Sequence, residues 1–192
     1  YQRPQHLLSR LAARWNVIVL EEPVPGEQTS LSVSQPAPGV TVLRPHTQAA
    51  EPGFSDAQFP ELSALLGNYL AENAIEHYGV WLYTPMALPL LGGLSPQVIV
   101  YDCMDELSLF RFAPPQLLRR ERDLLRIASV VFTGGPSLYD AKRDHAHNVH
   151  SLPSSVDAAH FARGADPANA DPRFDALPRP RLGYYGVIDE RI

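Results

Sequence analysis

Short runs of aliphatic and β-branched residues recur along this chain, and stretches of helical spacing separate most of them. That alternation limits the fold more than any other feature. The runs fall at residues 15–20, 40–44, 80–83, 98–101, 130–133 and 149–152. Each is too short for a helix and largely apolar, the pattern of a strand buried on both faces of a parallel sheet. Pro4 opens a helical stretch whose apolar stripe is Leu7, Leu8, Leu11 and Ala12. Ser55 or Asp56 can cap a second, in which Phe59, Leu62, Leu65, Leu66, Tyr69, Leu70 and Ala74 share a face and Gly79 ends the segment. Pro114-Pro115 opens a third, running to about Ile127 with Leu117, Leu118, Leu124 and Leu125 inward. A short apolar helix to Gly92-Gly93 and another over 137–144 complete the set. Residues 21–39, rich in Pro, Ser and Gln, read as a long loop, and Pro45 as the end of the second strand. Strands alternating with helices in this way predict a parallel sheet covered on both faces.

Composition narrows the function classes. The chain has 192 residues, enough for one good core. A formal net charge of −5 argues against a duplex nucleic-acid binder, which needs a concentrated basic face. Cys103 is the single cysteine, so no internal disulfide forms, and a reducing compartment fits. No apolar run approaches the roughly 20 residues of a membrane span. Tyr1 opens the chain without a signal-peptide pattern, and a longer parent protein is expected. Residues 153–180, with Pro153, Pro167, Pro172 and Pro178 among alanines and alternating charges, read as a linker.

Several residues stand where an open α/β sheet binds ligands, at the C-terminal ends of its strands. Arg3 precedes a helix N-terminus, where backbone amides favour an anion and a guanidinium adds a bidentate clamp. Its bland alternative is an ion pair with Glu21, Glu22 or a linker carboxylate. Asp102 and Asp105 follow a buried strand; either could take a proton from a hydroxyl nucleophile, bind a ligand's hydroxyls, or cap the next turn. Tyr83-Thr84 ends a strand and either shapes a pocket or terminates the strand before Pro85. Gly134-Gly135 turns between strand and helix; it either exposes amides to an anion or is a plain turn with Ser137 as N-cap, the better reading. It is not a dinucleotide fingerprint, and no acidic ribose reader follows it. His145, His147 and His150 lack an obvious fourth ligand, and no metal site is expected. Arg119, Arg120, Arg122 and Arg126 could meet anionic lipid, but interleaved Glu121 and Asp123 favour a solvated helix face.

Four blocks in order carry a family resemblance. Tyr1-Gln2-Arg3-Pro4-Gln5-His6-Leu7 looks like the opening of the first helix in a bacterial subgroup of glycosyltransferases. Tyr101-Asp102-Cys103-Met104-Asp105-Glu106 resembles that subgroup's motif after a central strand. Pro153-Ser154-Ser155-Val156-Asp157 and then Phe161 resembles the interdomain hinge, with Ser154-Ser155 where the wider superfamily more often has Asn-Gly. The stretch from Gly183 to Arg191 looks like the first strand and loop of the second domain. Together they are similar to the N-terminal domain of GT-B glycosyltransferases of the group 1, family 4 type, in the subgroup acting in cell-wall or exopolysaccharide synthesis, including teichuronic acid biosynthesis.

The resemblance implies an α/β, Rossmann-like parallel sheet with helices on both faces, forming an acceptor domain over 1–152. A linker over 153–180 and the start of a donor domain over 181–192 would follow. It implies transfer of a sugar from a nucleotide-sugar donor, held mainly by the second domain, to a polysaccharide or lipid-linked acceptor. No cofactor and no nucleic-acid partner is expected, and the place is the cytoplasm, with peripheral membrane contact. Asp102 and Asp105 are the expected catalytic carboxylates. Arg3, Gln5, His6, Tyr83, Thr84, Gly134 and Gly135 are the expected acceptor or phosphate contacts, and Gly186, Asp189, Glu190 and Arg191 the donor-domain loop. The domain alone is expected to be inactive, because its reaction needs both walls of a cleft. A nucleotide-sugar epimerase of the same fold and a non-catalytic flavodoxin-like binding module are the alternatives. A Rossmann-like half usually begins with a strand, whereas this sequence begins at the helix after it. Either that strand lies upstream of Tyr1, or residues 182–188 take its place beside Val17-Ile18-Val19.

Overall fold

The computed structural model describes residues 3–184. The chain divides into two compact units, Tyr1–Ser154 and Ser155–Ile192. The first opens with helix α1 (Arg3–Leu11), followed by β1 (Val17–Leu20), β2 (Val24–Pro25), β3 (Ser30–Ala37) and β4 (Val40–Thr47). Then come α2 (Phe59–Glu72), β5 (Gly79–Leu82), a 3-10 helix (Pro85–Gly93), β6 (Val98–Cys103), α3 (Leu117–Ile127), β7 (Val130–Thr133), α4 (Pro136–Lys142) and β8 (Val149–Ser151). The α/β architecture with parallel pairing is as the alternation dictates.

The described strands group into two four-stranded ladders. One has the order β1-β4-β2 with β3 also on β4; the other is β5-β6-β7-β8. All pairs are parallel except β3 with β4. That antiparallel hairpin corrects the reading of 21–39 as loop. Ser30-Leu31-Ser32-Val33-Ser34 alternates small polar with aliphatic residues, as a solvent-facing edge strand does, with Pro36 at a register shift between Ser34 and Ala37. β4 likewise runs past Pro45 to Thr47. Pro45 falls at the step where β1 ends and β2 begins, so neither parallel neighbour pairs with it.

The main core lies on one face of the second ladder. Leu82, Tyr101, Cys103 and Val131 point there, packed with Leu62 of α2, Leu90 of the 3-10 helix, and Leu124 and Leu125 of α3. Because side chains alternate along a strand, Trp81, Asp102, Phe132 and His150 point to the opposite face. Their rings form a chain there, Trp81 to Phe132 at 5.7 Å and Phe132 to His150 at 6.2 Å between centroids. Among the described residues β1 pairs with β4 alone, and its Val-Ile-Val-Leu sequence is only half-buried throughout. Residues 182–184 form no strand, and Leu182 is 97% exposed. The remainder of the run 182–188 lies outside the described residues.

Helix ends follow local chemistry. α2 stops at Glu72 rather than Gly79. The Asn73 side chain donates to the Tyr69 carbonyl at 2.8 Å, Ala74 turns left-handed at φ 51, and the Ile75 amide reaches back to Leu70 O at 2.9 Å. In α3, Leu118 is exposed, while Arg120 and Glu121 share the buried stripe with Leu117, Leu124 and Leu125. In the second unit, residues read as linker include a short helix, α5 (Ala158–Ala162), whose N-cap Asp157 accepts from the His160 amide at 3.0 Å.

Two substitutions with opposite signs test the left-handed positions. Ala74→Gly removes a Cβ from a conformation that costs L-residues about 1 kcal/mol and should raise unfolding stability by that order. Gly39→Ala places a Cβ at φ 72 and 2.8 Å from Ala12 O, and should lower it by more. Urea midpoints read both; equal effects of one sign would contradict the assignment.

Candidate functional site

β6 is buried from Val100 to Cys103, and its last residues decide the geometry at the C-terminal edge of the ladder. Asp102 is fully buried on the face opposite the main core. Arg3 of α1 meets it with Nε 3.1 Å from Oδ2 and Nη2 2.9 Å from Oδ1. The Oδ1 contact is an ion pair without hydrogen-bond alignment, which leaves that oxygen with no hydrogen-bond donor. The same guanidinium donates to the Leu152 carbonyl just past β8 at 2.6 Å. Arg3 therefore ties α1 to the ends of β6 and β8, and its partner is neither Glu21, which pairs with Arg44, nor Glu22. Removing one member of such a pair leaves a buried charge uncompensated, at about 3–5 kcal/mol. Beside it Tyr83 keeps a buried hydroxyl with no hydrogen-bond partner. Burial, then the Asp102 charge, pushes the Tyr83 pKa well above its ordinary value.

On the core face a second ionic group holds the same strand end. Glu121 accepts from the Tyr101 hydroxyl at 2.8 Å and from Lys142 of α4 at 2.9 Å. Lys142 also pairs with Glu106 at 2.7 Å, and Glu106 accepts from Ser108 Oγ at 2.8 Å. Burial and the nearby Cys103 and Glu121 hold the Tyr101 hydroxyl protonated, and burial pushes the Cys103 thiol up to about 11. Desolvation opposes the charges on Glu106 and Lys142. Their mutual hydrogen bond and attraction outweigh it, aided by Ser108 at Glu106 and by Glu121 at Lys142, so Glu106 titrates below its ordinary value and Lys142 above.

Asp105 lies between these two anchors. It is exposed, and among the described residues its side chain makes no hydrogen bond or ion pair; its carbonyl accepts from the Cys103 thiol at 3.5 Å. Gly134 approaches the same segment so closely that a Cβ there would sit 2.6 Å from Met104 O, and its amide donates to Cys103 O at 2.8 Å. The glycine is needed for space.

The other predicted residues fall as follows. Thr84 caps the 3-10 helix, accepting from the Met86 amide at 3.2 Å. Gly135, not Ser137, is the N-cap of α4, and its carbonyl accepts from Thr133 Oγ1 at 3.3 Å. Gln5 is exposed on α1; the His6 carbonyl accepts from Arg10 at 2.9 Å. Gly186, Asp189, Glu190 and Arg191 lie outside the described residues. Among the described residues no three His, Cys, Asp or Glu side chains gather as a metal site, and no helix is long and apolar enough to cross a membrane. Sequence reasoning missed the Glu121–Lys142–Glu106 group and the pairing of Arg120 with Asp56, over the Phe59 ring. The signal was the helical period: 117, 120, 121, 124, 125 and 128 form one stripe, whatever their polarity.

No protein-family model matches the sequence, nor does any curated protein. Solved structures do. Sucrose-phosphate synthase from Thermosynechococcus elongatus superposes over 86% of this chain with a TM-score of 0.60 at 15% identity. This chain shares the α/β, Rossmann-like fold of that structure, a GT-B glycosyltransferase. The match covers 46% of that protein, so the present chain spans about half its length. A second sucrose-phosphate synthase structure from the organism gives a TM-score of 0.54 at 15% identity over 82% of this chain and 87% of its own. In this α/β framework the Arg3–Asp102 pair and Asp105 stand at the C-terminal strand edge, where open α/β sheets bind ligands.

The ionic group on the core face has a defined pH window. A lowered carboxylate pKa contributes stability above its ordinary 4.5 that is lost as pH falls through the folded value. A raised lysine pKa contributes stability below 10.5 that is lost as pH rises past the folded value. The stability difference between wild type and Glu106→Gln should therefore stay level from about pH 6 to 9 and shrink below the ordinary carboxylate value. Denaturant unfolding across pH measures this, and a difference that grows on acidification would contradict it.

Proposed function

We propose that this chain is the acceptor-side domain of a cytoplasmic glycosyltransferase, which moves a sugar from a nucleotide-sugar donor to a cell-wall polysaccharide or its lipid-linked precursor. The observation that carries the reading is Asp105. It is an exposed carboxylate, unpaired among the described residues, on a loop anchored at both sides, at the ligand edge of a fold shared with a GT-B glycosyltransferase. In the transfer, the acceptor oxygen bonds to the anomeric carbon of the donor sugar. The bond from that carbon to phosphate breaks, and the nucleoside diphosphate leaves with the electron pair. Asp105 binds the acceptor hydroxyl and can take its proton. Asp102, enclosed with Arg3, positions the strand end instead of meeting substrate.

The segment after Asp105 supports a lipid-linked or membrane-presented acceptor. Leu109 and Phe112 are each 82% exposed, and the Arg111 guanidinium lies over the Phe112 ring at 5.4 Å. Apolar side chains with a flanking cation suit a lipid surface. Arg119, Arg122 and Arg126 are exposed on the α3 face, whereas Arg120 is buried and takes no part.

The test is nucleoside diphosphate release by the full-length protein that contains this domain, with nucleotide-sugar donor and a lipid-linked or polysaccharide acceptor. Asp105→Asn should lower kcat/KM for acceptor by about 100-fold and leave donor KM near wild type. Equal loss of donor binding would remove Asp105 from the acceptor side. Conversion of the nucleotide sugar without acceptor would point to an epimerase.

A further inference from the structure

The group formed by Glu121, Lys142 and Glu106 joins two helices and the segment that leaves β6. Glu121 sits on α3 and Lys142 on α4, both almost fully buried. Glu106 belongs to neither helix; it is in the segment that leaves β6 and carries Asp105. Lys142 Nζ lies 2.9 Å from Glu121 and 2.7 Å from Glu106, so one ammonium bridges a buried carboxylate and a carboxylate of the exposed segment. A surface ion pair contributes little to order. This one is different, because two of its three members are desolvated and charge-assisted hydrogen bonds hold its geometry.

The arrangement also explains why two carboxylates on one short segment differ so sharply. Glu106 accepts from Ser108 and pairs with Lys142, whereas its neighbour Asp105 is exposed and pairs with nothing described. Fixing Glu106 inward fixes the backbone on which Asp105 points outward. Met104, on the other side of Asp105, is confined by its approach to Gly134. Asp105 is thus held between two immobilised neighbours while its own side chain stays free.

We infer that Lys142 is a positioning residue: it latches Glu106 to Glu121 and so presents Asp105 in a fixed place at the site. Only the kinetic arm of the test rests on the acceptor-site reading. Glu106→Gln is the informative variant, since it removes the charge that holds this segment to Lys142 but leaves the buried Lys142–Glu121 pair intact and the protein able to fold. Hydrogen exchange of residues 104–110 should rise by about tenfold or more in this variant, with β6 and α2 unchanged. Lys142→Met should do the same or more, and Lys142→Arg should restore part of the protection. Unchanged exchange in 104–110 in Glu106→Gln, or a rise spread evenly over the chain, would overturn the latch. In the full-length protein, Glu106→Gln should raise acceptor KM and leave donor KM at the wild-type value; loss of both together would also overturn it. If the wild type transfers no sugar, the glycosyltransferase reading fails, and the exchange measurement still decides the latch.

Discussion

A guanidinium against a fully buried carboxylate ties the first helix to the ends of two strands of the second ladder. Asp102 sits inside a parallel ladder, where an isolated charge would be untenable. Arg3 makes it tenable, and in doing so commits α1 to one orientation, because the same side chain must also reach the Leu152 carbonyl. α1 has no fully buried residue of its own, so its apolar stripe alone would hold it weakly. The ion pair supplies the specificity that burial does not. This is the use for which buried ionic groups are best suited, since their net contribution to stability is small once desolvation is counted.

The Tyr101–Glu106 block shows how a short motif can be nearly all scaffold. Tyr101 donates to Glu121, Asp102 pairs with Arg3, Cys103 donates to the Asp105 carbonyl, and Glu106 pairs with Lys142. A motif of three acids and a tyrosine invites a catalytic reading. Side-chain environment separates its members: four side chains are engaged by named partners, and the Asp105 carboxylate faces solvent. Residue type at a strand end is therefore weak evidence for chemistry until the partners are known.

The alternation of β-branched runs with helical segments located the parallel strands β1, β4, β5, β6, β7 and β8, because each run is apolar over most of its length. The β3 edge strand was illegible for the opposite reason. Its Ser, Gln and Pro content belongs to loops by composition, and only its pairing with β4 makes it a strand. The end of α2 was misplaced because a left-handed alanine did the work expected of a glycine. Arg3 and Asp102 were both singled out in the sequence, but their pairing was not, since 99 positions separate them. The Glu121–Lys142–Glu106 group escaped because charges on an amphipathic helix are read as solvated. Counting the helical period without regard to polarity would have turned Glu121 inward.

The two ionic groups act on β6 from opposite sides, and the period of a strand makes that possible. Tyr101 and Cys103 face the main core, where Glu121 and Lys142 lie; Asp102 faces the other way, toward Arg3. A strand end held on one face alone could pivot about that contact. Held on both, it has one exit direction, and the chain leaves it through Met104 toward Glu106. The next free side chain is Asp105. The backbone of a carboxylate placed this way is held by its neighbours while its charge stays available to a ligand, so binding one orders the side chain alone. The scaffold charges thus do at the strand end what a hydrophobic core cannot do at a solvent-facing edge: they hold the backbone that carries a polar group without covering that group.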